Sequence, residues 1–454
     1  MSDPTRSAEL QRSLGPVQAS ALVVGIIIGA SIFVQPSEIV REVPSIPGIF
    51  LVWTAAGLLT VVGALLCAEL ASAYPETGGV YVFLRRTLSP AVAFLWGWAM
   101  FWSMHSGIIA AISVVFARYL SYFLPTGDTG IRLIATLAIL AVSAINYLGV
   151  RHGARLQAAF SIGKVLAIAV VILVAFALGP RAPLPSPSEA TSPPPPPADL
   201  AAFVRAIAAG LFAFGGWHMV TYTAGETVGA RRTIPRALAI GIGVVILCYL
   251  ALNAAYLYVL PLDAVVGSVR VAADAADAVL GSGGAAVLSA LVVFSSFGAL
   301  AGLVLAGPRV YHAMAGDGLL FRWAGAVHPR FRTPHRAIAL QAVWSCVLVA
   351  TGSYRALFTR VIYTEWIFFA LLAVGLMLAR RRPDYAPTVR MPGVPLVPAL
   401  FVAGALTVVA VAVASAPADS VVGLLLVLAG WPVYILWAGR AGTREEARAY
   451  DRLP

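Results

Sequence analysis

The chain has 454 residues, 60% of them hydrophobic and 11% charged, with a mean hydropathy of +0.88. A soluble domain carries about a quarter of its residues as Asp, Glu, Lys and Arg, so this composition excludes an ordinary water-soluble fold and assigns most of the surface to lipid. The net charge of +11 falls in short clusters between long apolar runs, without aromatic interleaving, which fits membrane orientation and not nucleic-acid binding.

The N-terminal MSDPTRSAELQRSLG is polar and lacks a small-residue cleavage site, so the first apolar run is expected to remain as a span. A membrane-crossing helix needs about 20 mostly apolar residues. Five such stretches come first, at Val17–Val40, Gly48–Ser72, Ala91–Leu124, Ile131–Gly149 and Leu156–Gly179. Pro180–Pro197 contains SPPPPP, which cannot be helical and reads as an extended external connector. A second five follow at Ala201–Gly225, Ala237–Leu260, Ala285–Ala313, Ala337–Gly352 and Leu357–Ala379. Pro261–Gly284, rich in Ala, Asp and Val, reads as a short external helix. Val397–Ser415 and Val421–Ala438 complete about twelve spans and sit close together. The expected architecture is an all-α polytopic membrane protein. It has an N-terminal tail (1–16), a first half (17–179), the connector (180–200), a second half (201–379), a loop with two further spans (380–438) and a C-terminal tail (439–454).

With the N-terminus inside, most arginines fall on the cytoplasmic side, including Arg85, Arg86, Arg231, Arg232, Arg309 and the Arg380–Arg382 run. This positive-inside excess sets the orientation, with both termini cytoplasmic in an inner membrane. Cys67, Cys248 and Cys346 all lie in apolar stretches and read as small buried hydrophobes, not as a disulfide frame or a metal site. No cofactor is expected. With no appended soluble domain to hold a nucleotide, any movement of solute would run on a gradient or on exchange.

Two spans carry glycine interruptions. The first reads VVGIIIGASIF over Val23–Phe33, with Gly25 and Gly29 near its middle. The sixth reads GLFAFGGWHMVTYTAGE over Gly210–Glu226, with Gly215 and Gly216 adjacent. Glycine is common in membrane helices as a packing residue. Interruptions at corresponding places in two five-span halves, however, point to an inverted-repeat transporter. A broken helix turns free N–H groups toward a carboxylate, and the opposite stub turns free carbonyls toward an ammonium.

The 31 basic residues include a single lysine, Lys164, well inside the fifth span in RLQAAFSIGKVLAIAVVILV. An intramembrane cation is costly and faces the bundle interior or water. Snorkelling to the interface would be served by arginine, as elsewhere in this chain, so Lys164 is expected to have a site role. Glu365, in YTEWIFF of the tenth span, could bind a proton or pair with a cation. Glu69 and Glu226 fall at span ends and are expected to organise loops. His105 and His218 are weaker candidates, since a buried, hydrogen-bonded histidine is the commoner case.

Several segments resemble the amino acid–polyamine–organocation superfamily, and within it the L-type amino acid transporter branch in its bacterial form. They are IIIGASIFVQP, AELASAYPETGGVYVFLRR, LFAFGGWHMVTYTAGETVGARRTIPRAL and SSFGALAGLVLAGPRVYHAMAGDGLLF. The resemblance covers nearly the whole chain. It implies the LeuT-like fold, with spans one to five and six to ten as inverted repeats around discontinuous helices 1 and 6. It further implies a carboxylate held by the amides of Ala30, Ser31 and Ile32 after Gly29. The ammonium would meet carbonyls near Ile27, Phe212, Ala213 and Gly215, with Phe212 as an aromatic gate. Lys164 would stand where sodium-coupled relatives hold an ion, bridging the first span to Ser295 and Ser296.

Two residues depart from the family pattern. Ser31 adds a side chain beside the carboxylate site, and His218 replaces an asparagine common after Gly-Gly-Trp. Animal members join an ancillary glycoprotein through a cysteine in an external loop. The corresponding loop here, Pro125–Gly130, has none, so no disulfide-linked partner is expected, and the chain should be a monomer or weak oligomer.

The function this implies is sodium-independent transport of neutral L-amino acids by alternating access, with exchange ahead of proton symport. A cationic amino acid or polyamine carrier is the alternative and would lean on Glu365. A channel lacks support because no selectivity-filter repeat is present. An integral-membrane enzyme lacks it because no HExxH, paired aspartates or nucleophile–base set is found.

Overall fold

A backbone in lipid has no water to bond, so it must satisfy its polar groups internally, and helices do this within one segment. The computed structural model describes residues 10–180, 199–268, 270–352 and 354–437. Among them there is no strand, only an isolated bridge between Leu14 and Thr227. Ten helices are long and apolar enough to cross a membrane, and the bent pair Pro16–Ile27 and Ser31–Glu42 makes an eleventh. The remaining expected span is the apolar helix His335–Thr351, 17 residues long. The protein is thus an all-α, multi-pass membrane protein.

The other spans are Ile46–Ala73, Pro90–Leu120, Asp128–Tyr147, Val150–Leu178, Leu200–Glu226, Ala230–Val259 and Gly284–Ala306, then Tyr354–Ala379, Leu396–Ser415 and Pro417–Trp437. Those last two, close in sequence, are separate helices: the chain leaves helical geometry at Ala416, and Pro417 opens the twelfth span, where its missing N–H costs nothing. The external segment before span eight is two helices, Leu262–Gly267 and Val271–Leu280, and not the single one expected. Ser268 divides them, accepting from Arg270 N at 2.9 Å and donating to Asp274 at 2.6 Å. Most of the proline-rich connector and both outermost tails lie outside the described residues. Its last residue before span six, Asp199, caps that span by accepting from Ala202 N.

Packing is reciprocal between spans one to five and six to ten. Span two lies on span seven, span three on span eight and span four on span nine. The first part of span one packs on span seven, while the first part of span six packs on span two. The two interrupted spans therefore meet at the centre of the bundle.

On the face that carries the N-terminus, charged side chains are paired with one another. Arg309 donates to both carboxylate oxygens of Glu226, at 2.7 and 3.0 Å, and both side chains are fully buried. Arg380 donates to Glu69 at 2.8 and 2.5 Å, and Met391 N adds a third bond at 2.6 Å. Glu69 and Glu226 thus do organise the segments around span ends. Residues before the first span form a strap, with Ser13 N and Leu14 N donating to Glu226 O and Val228 N to Leu14 O.

Candidate functional site

The first span breaks over Ile28–Ala30, and its two parts meet at 46°. The break leaves the N–H groups of Ala30, Ser31 and Ile32 without a partner inside the helix that follows. They are the first amides of the helix Ser31–Glu42, whose positive dipole end they mark. Gly25, one turn earlier, is set by close approach, because a Cβ there would overlap Gln157 and Ser161 of span five. Ser161 uses that approach to donate to Ala21 O at 2.7 Å.

The sixth span is α-helical to Ala213, turns at Phe214–Gly216, and resumes as a ten-residue 3₁₀ helix, Trp217–Glu226. Gly216 has φ of +94°, and a Cβ there would strike Ile26 of the first span. It is therefore required both for its conformation and for the contact between the two broken spans. A 3₁₀ run this long is uncommon and has poorer hydrogen-bond geometry than an α-helix.

Lys164 reaches this centre from span five. Its ammonium donates to Gly25 O at 2.9 Å, Ile28 O at 2.6 Å and Ser295 O at 3.0 Å, with the residue fully buried. All three ammonium protons have acceptors, two on the first-span stub and one on span eight. Ser295 Oγ adds a bond to Ile28 O at 3.1 Å. Ser296, paired with Ser295 in the sequence reading, is buried with its hydroxyl unbonded among the described residues.

Tyr249 of span seven was not singled out by sequence. Its hydroxyl lies 3.1 Å from Ile27 O and 2.9 Å from Ala213 O, so one phenol ties the two broken spans together. These are two of the carbonyls expected to meet an ammonium. Ser31 lies beside the same phenol. The signal that could have found it is a tyrosine at mid-span, whose buried hydroxyl needs a partner. Tyr249→Phe removes the bridging donor but keeps the ring packed on Trp53 and Phe214. A net hydrogen bond contributes about 0.5–1.5 kcal/mol, so affinity for a small molecule bound at these carbonyls should fall roughly three- to tenfold. An unchanged affinity would leave the bridge without a part in binding.

Beside the breaks lies a cavity of about 150 Å³ whose walls include Phe212, Gly215, Trp217, Glu365 and Phe369. Phe212 is 38% exposed, as a residue at a cavity mouth would be. The span-three wall is a π-helical turn, Met100–Met104, followed by His105. Such turns re-aim side chains and gather at functional sites. His105 Nε2 lies 2.9 Å from Leu303 O, which makes it a bonded core histidine. His218 is fully buried behind the cavity, ringed by Trp96, Trp217, Tyr222 and Phe369, with Nε2 3.7 Å from Glu365 Oε1.

The chain is similar to known proteins over nearly its whole length. A family model described as amino acid permease matches residues 14–437. The serine/threonine exchanger SteT of Bacillus subtilis (strain 168) is 29% identical, covering 95% of this chain and 98% of its own length. The b(0,+)-type amino acid transporter 1 of Mus musculus is 26% identical, over 95% of this chain and 89% of that protein. The large neutral amino acids transporter small subunit 2 of Homo sapiens is 28% identical, over 94% of this chain and 80% of that protein.

Proposed function

Since this chain belongs to the amino acid permease family, and is a transporter and not an enzyme, we propose that it exchanges neutral L-amino acids across the inner membrane without sodium. The observation that carries this reading is Lys164. A fixed ammonium bonded to Gly25 O, Ile28 O and Ser295 O supplies the positive charge that a coupling ion would otherwise bring between the first span and span eight.

In this reading the head group is recognised by backbone. The free N–H groups of Ala30, Ser31 and Ile32 at a helix N-terminus suit the carboxylate, and the spare lone pairs of the Ile27 and Ala213 carbonyls suit the ammonium. Phe212 covers the bound side chain, which enters the cavity beside Gly215. Alternating access follows from the packing: the two broken spans and their partners rock while the face that carries the N-terminus, cytoplasmic in this reading, opens and closes. The charge pairs there hold it closed in the state described, and they would have to separate for release. The similarity to the serine/threonine exchanger SteT supports exchange of amino acids as the mode. No disulfide-linked subunit is required in this reading.

Proteoliposomes loaded with unlabelled glutamine and placed in labelled glutamine test it. Uptake is expected with choline in place of sodium, and it should fall to background when the vesicles are empty. Strict sodium dependence would remove the role given to Lys164, and full uptake into empty vesicles would remove exchange.

A further inference from the structure

The cavity beside the breaks is walled by apolar side chains, yet it carries a carboxylate. Glu365 retains 13% of its side-chain exposure there. Among the described residues, no lysine or arginine nitrogen lies within 4 Å of it, and its one basic neighbour is His218 at 3.7 Å. That distance is too long for a hydrogen bond. His218 in turn has both ring nitrogens unbonded among the described residues although it is fully buried. Buried polar groups are normally paired, and a carboxylate on the cavity wall with an unbonded histidine behind it calls for a third partner.

We propose that Glu365, backed by His218, receives the far end of the substrate side chain, and that the protein therefore prefers amino acids whose side chain ends in an N–H or O–H donor. The inference rests on the amino acid transport reading and widens the substrate class of that same site from neutral to cationic side chains that carry a donor. A carboxylate offers acceptor positions only. An amide or ammonium entering the cavity satisfies it, whereas an aliphatic side chain of the same length leaves it facing apolar atoms with nothing to replace its water. A site built to bond a polar group rejects the apolar isostere far more strongly than an apolar pocket rejects a polar one. His218 is the second residue after Gly216, in the first turn of the resumed span six, so a group held by Glu365 is also seated against that resumption.

Isosteric pairs test this in counterflow with purified protein. Glutamine is compared with methionine, and ornithine with norleucine. The wild-type protein should favour the donor-bearing member of each pair by at least about tenfold in kcat/KM. Glu365→Leu should remove both preferences, and its methionine counterflow reports that the site is still formed. Glu365→Gln, which keeps the shape and an acceptor oxygen but no charge, should lose the ornithine preference and keep part of the glutamine preference. It carries the test if the leucine variant does not fold. Wild-type counterflow without a donor preference overturns this inference alone. A preference that persists in both variants overturns it as well. Absence of counterflow for every amino acid overturns the transport reading together with this one.

Discussion

Replacing Lys164 with alanine is expected to slow amino acid counterflow by about a hundredfold or more while leaving a folded, membrane-inserted protein. The ammonium makes two bonds to the first-span stub and one to span eight, and no other described side chain joins Gly25 O to Ser295 O. A hydrogen bond from a charged group contributes about 1.5–3 kcal/mol. Losing the two bonds to the stub alone is therefore a perturbation of about 3–6 kcal/mol, and each 1.4 kcal/mol is a factor of about ten. The stub leads into the amides of Ala30, Ser31 and Ile32, the carboxylate site proposed above, so the loss should fall on substrate binding and on the rate together. Lys164→Arg should not restore transport, because a planar fork cannot send three donors to carbonyls that converge on one nitrogen. Initial rates in proteoliposomes, normalised to reconstituted protein, measure both variants. Transport within threefold of wild type in the alanine variant would show that the bridge is dispensable.

The second large effect is expected far from the cavity. Arg309 and Glu226 are both fully buried and paired through two hydrogen bonds, and Glu226 O also anchors the N-terminal strap. Arg309→Met leaves an uncompensated buried carboxylate, a change that costs about 3–5 kcal/mol. The variant should show poor recovery from the membrane and a clearly lower unfolding midpoint in detergent. Adding Glu226→Leu should recover most of that stability, because an apolar pair of similar volume avoids the desolvation of two charges. A double variant as unstable as the single one would mean that the pair's worth lies in the bond from Arg309 to Leu305 O, not in charge compensation.

Much of this was legible in sequence for a simple reason. The bilayer demands long apolar runs, so span positions and the all-α architecture can be counted directly. The interrupted spans were legible because only glycine tolerates both the positive φ and the close contact with the Ile26 side chain at Gly216, and because a matching interruption occurs at Gly25–Gly29. Lys164 stood out by chemistry, being the one residue that departs from a chain otherwise supplied with arginine. The second external helix was not legible, because its separation turns on a local bond from Ser268.

What only the tertiary structure decided is which side chains complete those features. Tyr249 looks like any mid-span tyrosine until span seven is seen packed against both broken spans, which puts one hydroxyl within reach of Ile27 O and Ala213 O. Glu365 and His218 are remote in sequence, and nothing in their local patterns pairs them. They meet because the 3₁₀ stretch after Gly216 turns His218 toward span ten. Hydropathy and glycine spacing record what lipid and backbone require of each segment separately. Contacts between segments depend on helix rotation and register, which the periodicity of a uniformly apolar span does not encode.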